Sequence, residues 1–241
     1  MNIKKQLDEV WSKEYINLLH PLVKDRGYIF CENNLQKDIL ITGINPSFIN
    51  GKDENVQKYD FYNTKGSFWN NIKKILSTNI NGNKIDLINN STYLDLFYFK
   101  ETKQSFIHNN LFNNNGLLFL ADQLSLTQYT IEKVIKPKVI IVANKGSYAY
   151  WGKLQNKGIV WMGYEFESIK EIQYGEICRI KGLINSPNRI ANKIIETSLK
   201  DTLVLFSQHI SWRTPTEKIP TAELIDTLLK CYNKECDLTE V

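Results

Sequence analysis

Four short apolar runs constrain the fold more than any other feature of the chain: residues 38–44 (DILITGI), 93–99 (YLDLFYF), 138–143 (KVIIVA) and 202–206 (TLVLF). Each is rich in Ile, Val, Leu or Phe and leads straight into a polar loop. Runs of this kind, bounded by turn residues, read as strands buried on both faces. Between them the apolar residues recur at helical spacing. Residues 66–78 place Phe68, Trp69, Ile72, Ile75 and Leu76 on one side. Residues 117–135 read as mostly helix, 145–154 start a helix after a short turn, and 221–232 form the last one. Over residues 7–24, Val10, Trp11, Ile16, Leu18, Leu19 and Leu22 predict a leading helix, broken by Pro21 and packed outside the core. Strands alternating with helices predict a three-layer α/β/α fold with a mainly parallel central sheet. Residues 175–183 add a further strand, expected at an edge.

No repeat and no proline-rich or glycine-serine linker divides the 241 residues. A single domain over residues 1–241 is expected, with an N-terminal helical extension over 1–37. The chain is 42% hydrophobic and 23% charged, which argues against disorder as its main state. No stretch approaches the roughly 18 uninterrupted apolar residues of a spanning helix, so no membrane partner is expected. The first fifteen residues lack the apolar centre of a secretory signal, and a cytoplasmic location is the default expectation. Thirty basic residues against 26 acidic ones leave a net charge of +4, which permits an anionic partner without demanding one. Only Arg26, Arg179, Arg189 and Arg213 are arginines, so an arginine in a site stands out. Cys31, Cys178, Cys231 and Cys236 lack the two close pairs of a zinc site, and buried reduced thiols are expected for all four.

In parallel sheets ligands bind beyond the carboxyl ends of the strands. That rule selects residues 43–50, 99–104, 144–147 and 207–214. In the first loop, Gly43 permits close backbone approach, Pro46 fixes the turn, and Asn45 offers both a donor and an acceptor to the cleft. Asn45 has a second reading, as a residue satisfying backbone groups in its own turn. The last loop carries His209, which can hydrogen-bond a substrate carbonyl or stabilise developing negative charge, followed by Trp212 and Arg213. For that pair the alternatives are penetration or clamping of a nucleic acid and a core-covering tryptophan beside a surface ion pair. Lys145 and Ser147 open a helix after a strand, which suits either a phosphate contact or helix capping. His20 and His108 have no metal-like partners at useful spacing.

Taken in order, Gly43-Ile44-Asn45-Pro46-Ser47, Phe68-Trp69-Asn70-Asn71-Ile72, the strand YLDLFYF, the segment KVIIVANKGSYAYWG and His209-Ile210-Ser211 resemble the uracil-DNA glycosylase superfamily. The likeness is nearest to its mismatch-specific uracil/thymine branch and spans roughly residues 38–215. It implies a doubly wound sheet with DNA lying across the strand ends. Asn45 would position the attacking water, and Ile44, Phe61 and Asp95 would meet the flipped base, with Phe61 stacking on it. His209 would assist cleavage, Ser47, Lys145, Ser147 and Ser211 would touch the DNA, and Trp212 and Arg213 would form the wedge. No metal or other cofactor is required, and the chain is expected to act as a monomer on DNA.

Ser47 stands where that family has glycine, and Ile210 where proline is common. Asp95 stands near the usual pyrimidine-reading asparagine. Ionised, it only accepts hydrogen bonds, so it repels uracil O4 and suits an exocyclic amine or a ring N–H. Alternatively it caps the next helix or helps activate water. Two function classes follow: a DNA glycosylase that hydrolyses an N-glycosidic bond, and a glycosylase-like protein that binds nucleic acid or a nucleobase without cleaving it.

Overall fold

The computed structural model describes residues 2–32, 34–80, 82–154, 158–211 and 213–238. In chain order the elements are α1 (Ile3–Trp11), α2 (Pro21–Arg26), β1 (Phe30–Cys31), β2 (Ile39–Gly43), β3 (Lys58–Tyr59), α3 (Ser67–Lys74), β4 (Ser77–Ile80), β5 (Asn83–Asp86) and β6 (Ser91–Asp95). They continue with α4 (Ser105–Asn110), α5 (Asn114–Tyr129), β7 (Val139–Val142), α6 (Tyr148–Trp151), β8 (Tyr164–Ile172), β9 (Gly175–Leu183), β10 (Leu203–Ser207) and α7 (Ala222–Tyr232). A π-helical segment, Thr130–Ile135, extends α5, so the helix expected over 117–135 is present.

The main sheet has the order β6-β2-β7-β10-β9-β8. Strands β6, β2, β7 and β10 run parallel, while β9 is antiparallel to both its neighbours. Alternate residues of each parallel strand face opposite sides of the sheet. Leu40, Leu94, Ile140 and Val204 join one core with Leu7 of α1 and Phe119 and Leu124 of α5. Ile39, Ile41, Tyr93, Ile141 and Leu205 join the other, with Ile72 of α3 and Ile225 and Leu228 of α7. Helices therefore cover both faces, as an α/β protein with a mostly parallel sheet requires. Among the described residues no helix is long and apolar enough to cross a membrane.

From β2 the chain crosses to β6 on one side, and β7 then returns to the other side of β2. The direction of winding reverses there, opening a crevice between the carboxyl ends of β2 and β7.

Four expectations need correction. Pro21 does not break a helix but begins one: it is the first residue of α2, where its missing N–H costs no hydrogen bond, and His20 Nδ1 caps the turn by accepting from Leu22 N. The strand at 93–99 lies two residues earlier and ends at Asp95. Beyond it, Tyr98 and Phe99 donate their backbone N–H groups to Gln123 Oε1 of α5, and Phe97, Tyr98 and Phe99 are buried as irregular chain. Strand β9 is interior, because β8 covers its outer side. The apolar alternation of β8 slips phase at a register shift between Ser168 and Lys170. Finally, Cys231 and Cys236 form a disulfide, since the chain turns back after α7 with Lys234 at φ +66°. Cys31 and Cys178 are free and buried.

Candidate functional site

A cleft of about 790 Å³ lies over the carboxyl ends of the four parallel strands. Gly43 closes β2, Asp95 closes β6, Ala143 and Asn144 follow β7, and His209 and Ile210 follow β10; all six line it. The sheet topology alone brings these residues together from positions as far apart in the chain as 43 and 210.

Asn45 sits in the turn after β2. Its Nδ2 donates to Glu101 O at 2.5 Å and to Pro46 O at 3.1 Å. Both partners are carbonyl oxygens, so the amide orientation is forced, and Oδ1 is the atom left to accept from elsewhere. Glu101 is itself anchored by Arg26, whose Nη1 stands 2.5 Å from Glu101 Oε2. Lys100, almost entirely buried, donates from Nζ to Asp53 O at 2.7 Å and Val56 O at 3.2 Å, which straps residues 49–56 along the mouth. Burial lowers the Lys100 pKa, with Asp53 opposing the change.

Gly43 and Asp95 are register partners in the parallel pair β2·β6. A methyl group on Gly43 would overlap the Tyr93 hydroxyl and the Asp95 carboxyl, so the bare backbone is what lets that pair lie over the strand end. Tyr93 OH donates to Asp95 Oδ1 at 2.7 Å. Among the described residues no basic side chain pairs with Asp95. Burial therefore pushes its carboxyl up to about 7, with the Tyr93 hydrogen bond opposing part of the rise. Burial also raises the hydroxyl pKa of Tyr93 and Tyr59 well above the ordinary value.

Beside Asp95 stand four rings: Tyr59, Phe68, Trp69 and Tyr93. Their centroids are 4.9 Å apart for Tyr59 and Trp69, 5.1 Å for Trp69 and Tyr93, and 5.6 Å for Phe68 and Tyr93. Tyr93 meets Trp69 and Phe68 edge to face, at 80° and 84°, and is itself almost entirely buried, so Tyr59, Phe68 and Trp69 are the more open of the four.

The expected site residues divide into two groups. Ile44, Asn45, Ser47, Asp95 and His209 share the cleft. His209 is exposed, and among the described residues its ring has no hydrogen-bond partner; its backbone carbonyl accepts from the Thr214 hydroxyl. Phe61 lies elsewhere. It is fully buried, edge-on to Trp69 with centroids 6.3 Å apart, and does not reach the cleft. Ser147 is likewise buried, and its hydroxyl donates to Asn144 O at 2.6 Å, so it caps the turn and is closed to a phosphate. Lys145 is exposed outside the cleft lining. Ser211 lines a neighbouring groove with Lys74 and Thr214, while Arg213 is exposed. Trp212 lies outside the described residues.

Sequence reasoning did not single out Tyr59, Tyr93, Lys100 or Glu101. The loop 99–104 was selected by its place after a strand, which was the available signal for Lys100 and Glu101. Nothing in the pattern around Tyr59 marks it. Among the described residues no group of three His, Cys, Asp or Glu side chains could hold a metal ion.

Fold and site together define an α/β protein with a cleft of about 790 Å³, lined in part by aromatic side chains, at its topological switch point. No family model matches the chain, and no curated protein matches it.

Proposed function

We propose that the protein is a DNA glycosylase of the uracil-DNA glycosylase kind, which flips a damaged or mismatched base into this cleft and hydrolyses its N-glycosidic bond. One observation carries the reading: Asn45, Asp95 and His209, from the carboxyl ends of three different parallel strands, share one cleft with four aromatic rings. The order of the short motifs in the chain supports the same family.

A base inside a duplex cannot be reached, so it must leave the stack at a cost of a few kcal/mol, which stacking and edge hydrogen bonds offset. Tyr59, Phe68 and Trp69, the half-buried rings of the cleft, offer the base an aromatic surface, and Asp95 meets its polar edge. The C1′–N bond then breaks with its electron pair leaving on the base, and water adds to C1′. The fixed amide of Asn45 leaves Oδ1 to accept a hydrogen bond from that water. His209 stands at the cleft as a donor for a base carbonyl. Exposed Arg213 and Lys145 suit contacts to the backbone phosphates.

The test is base release from duplex and single-stranded oligonucleotides carrying uracil, a G·T mismatch, hypoxanthine, xanthine or an alkylated base. Release from one of these, abolished in a folded Asn45→Ala variant, is the expected result. Release from none of them overturns the reading. A second reading, binding of a base or nucleic acid without cleavage, is favoured by the His209 ring, which has no hydrogen-bond partner among the described residues, because a catalytic imidazole is normally oriented by its second nitrogen. It predicts DNA affinity that falls on Arg213→Ala, with no base released at any stage.

A further inference from the structure

We infer that the base this cleft excises is a positively charged N-alkylated purine rather than uracil; the inference rests on the glycosylase reading. It starts from a charge left unmatched. The other acids lining the cleft have partners: Glu101 pairs with Arg26, Asp53 accepts from Ile49 N, and Asp60 accepts from Tyr62 N and Asn63 Nδ2. Asp95 has only the Tyr93 hydroxyl among the described residues.

The nearby cations are directed elsewhere. Lys100 is bound to two backbone carbonyls and Lys58 to Glu32, while Lys65 stands at the exposed rim. Where a planar cation meets the face of one of the rings lining the cleft, the ring's π electrons attract it. Among the described residues no cation offsets Asp95, so a planar cation seated beside it would favour the ionised carboxyl over the protonated one that burial favours in the empty cleft. Asp95 also accepts hydrogen bonds from the exocyclic amino groups of adenine and guanine derivatives, which uracil lacks.

Leaving-group chemistry points the same way. Departing uracil takes the bonding pair and becomes an anion, which here would meet Asp95 and the ring faces. It needs an oriented donor, and among the described residues the His209 ring has no hydrogen-bond partner to orient it. A purine alkylated at N3 or N7 already carries a positive charge. When its C1′–N9 bond breaks, the electron pair neutralises the ring, and a neutral base leaves. Water adds to C1′ and gives up one proton to solvent. That route needs no acid. It needs a negative pocket and a water acceptor, and Asp95, the four rings and Asn45 Oδ1 supply both.

The experiment uses the full chain. Duplex DNA methylated with dimethyl sulfate, containing 7-methylguanine and 3-methyladenine, is compared with duplexes carrying uracil or hypoxanthine, and released bases are separated by chromatography. Release of methylated purine above spontaneous depurination, reduced about tenfold or more by Asp95→Asn, is expected. Release of uracil or hypoxanthine without methylated purine overturns the inference and leaves the glycosylase reading standing. If no base is released, the glycosylase reading fails. Quenching of tryptophan fluorescence by 1-methyladenosine, which is still cationic just above pH 7 where the Asp95 carboxyl is ionised, and by adenosine then decides the charge preference by itself. Binding of the methylated cation about tenfold tighter sustains that preference, and equal binding overturns it. Circular dichroism of Asp95→Asn shows that the variant is folded.

Discussion

Gly43 and Asp95 face each other across the ends of two neighbouring parallel strands, and the glycine is the reason the carboxyl can lie where it does. A side chain at position 43 collides with both members of the Tyr93–Asp95 hydrogen bond. Gly43→Ala is therefore expected to lower stability by roughly 1–3 kcal/mol, the usual cost of overpacking. Adding Tyr93→Phe removes one of the two colliding atoms and should recover part of that loss. Urea unfolding of the two single variants and the double variant measures the coupling; strictly additive losses would show that the contact is not felt.

Asp95 also makes a prediction about pH. In the unfolded chain its carboxyl ionises near 3.8, and in the folded protein near about 7. Between those values the folded state holds a proton that the unfolded state has lost. This group's contribution to stability is thus fully present below the unfolded pKa and falls as pH rises, levelling off above about 7. Asp95→Asn has no such slope. Relative to wild type, the variant should gain stability across that window, by a few kcal/mol at about 1.4 kcal/mol per pH unit. Parallel stability–pH curves for the two proteins would contradict a raised carboxyl.

Asn45 holds two loops together through its amide, and the direction of those bonds is testable. Asn45→Ala should cost about 1 kcal/mol in thermal or urea unfolding. Asn45→Asp is nearly isosteric but turns an oxygen toward the carbonyls of Glu101 and Pro46. It should cost more than the alanine, roughly 1–3 kcal/mol. An aspartate variant as stable as wild type would mean that the amide does not donate to those carbonyls.

Lys100 straps residues 49–56 to the end of the sheet through two backbone carbonyls. Lys100→Met keeps the apolar stem and removes the ammonium. Amide hydrogen exchange over residues 49–56 should then accelerate by about tenfold or more, while β2 and β7 keep their protection. Unchanged exchange in that segment would show that the strap does not hold it.

The four parallel strands were legible because burial on both faces makes each a nearly unbroken apolar run, and residues 139–142 and 203–206 matched closely. Asn45 and His209 were legible because each follows such a run, and the carboxyl-end rule needs no side-chain geometry, whereas Asp95 lies inside the run 93–99 and was singled out only by the family resemblance. The aromatic wall was not legible. Residues 58–62 form only a two-residue strand, so no periodicity tells which of Tyr59, Phe61 and Tyr62 turns to the cleft, and Tyr59 rather than Phe61 does. Strand β8 was hidden by its register shift. The Cys231–Cys236 pair depends on a left-handed turn at Lys234, a residue type that gives no warning of one.

The central claim is base excision, and the most direct measurement is free base released from lesion-bearing duplex DNA, detected by mass spectrometry under single-turnover conditions. Wild type should release one class of base well above the spontaneous rate. Asn45→Ala, with an unchanged circular dichroism spectrum, should lower that rate about a hundredfold or more. Release at the spontaneous level from every duplex, or a rate indifferent to Asn45→Ala, would contradict excision at this cleft.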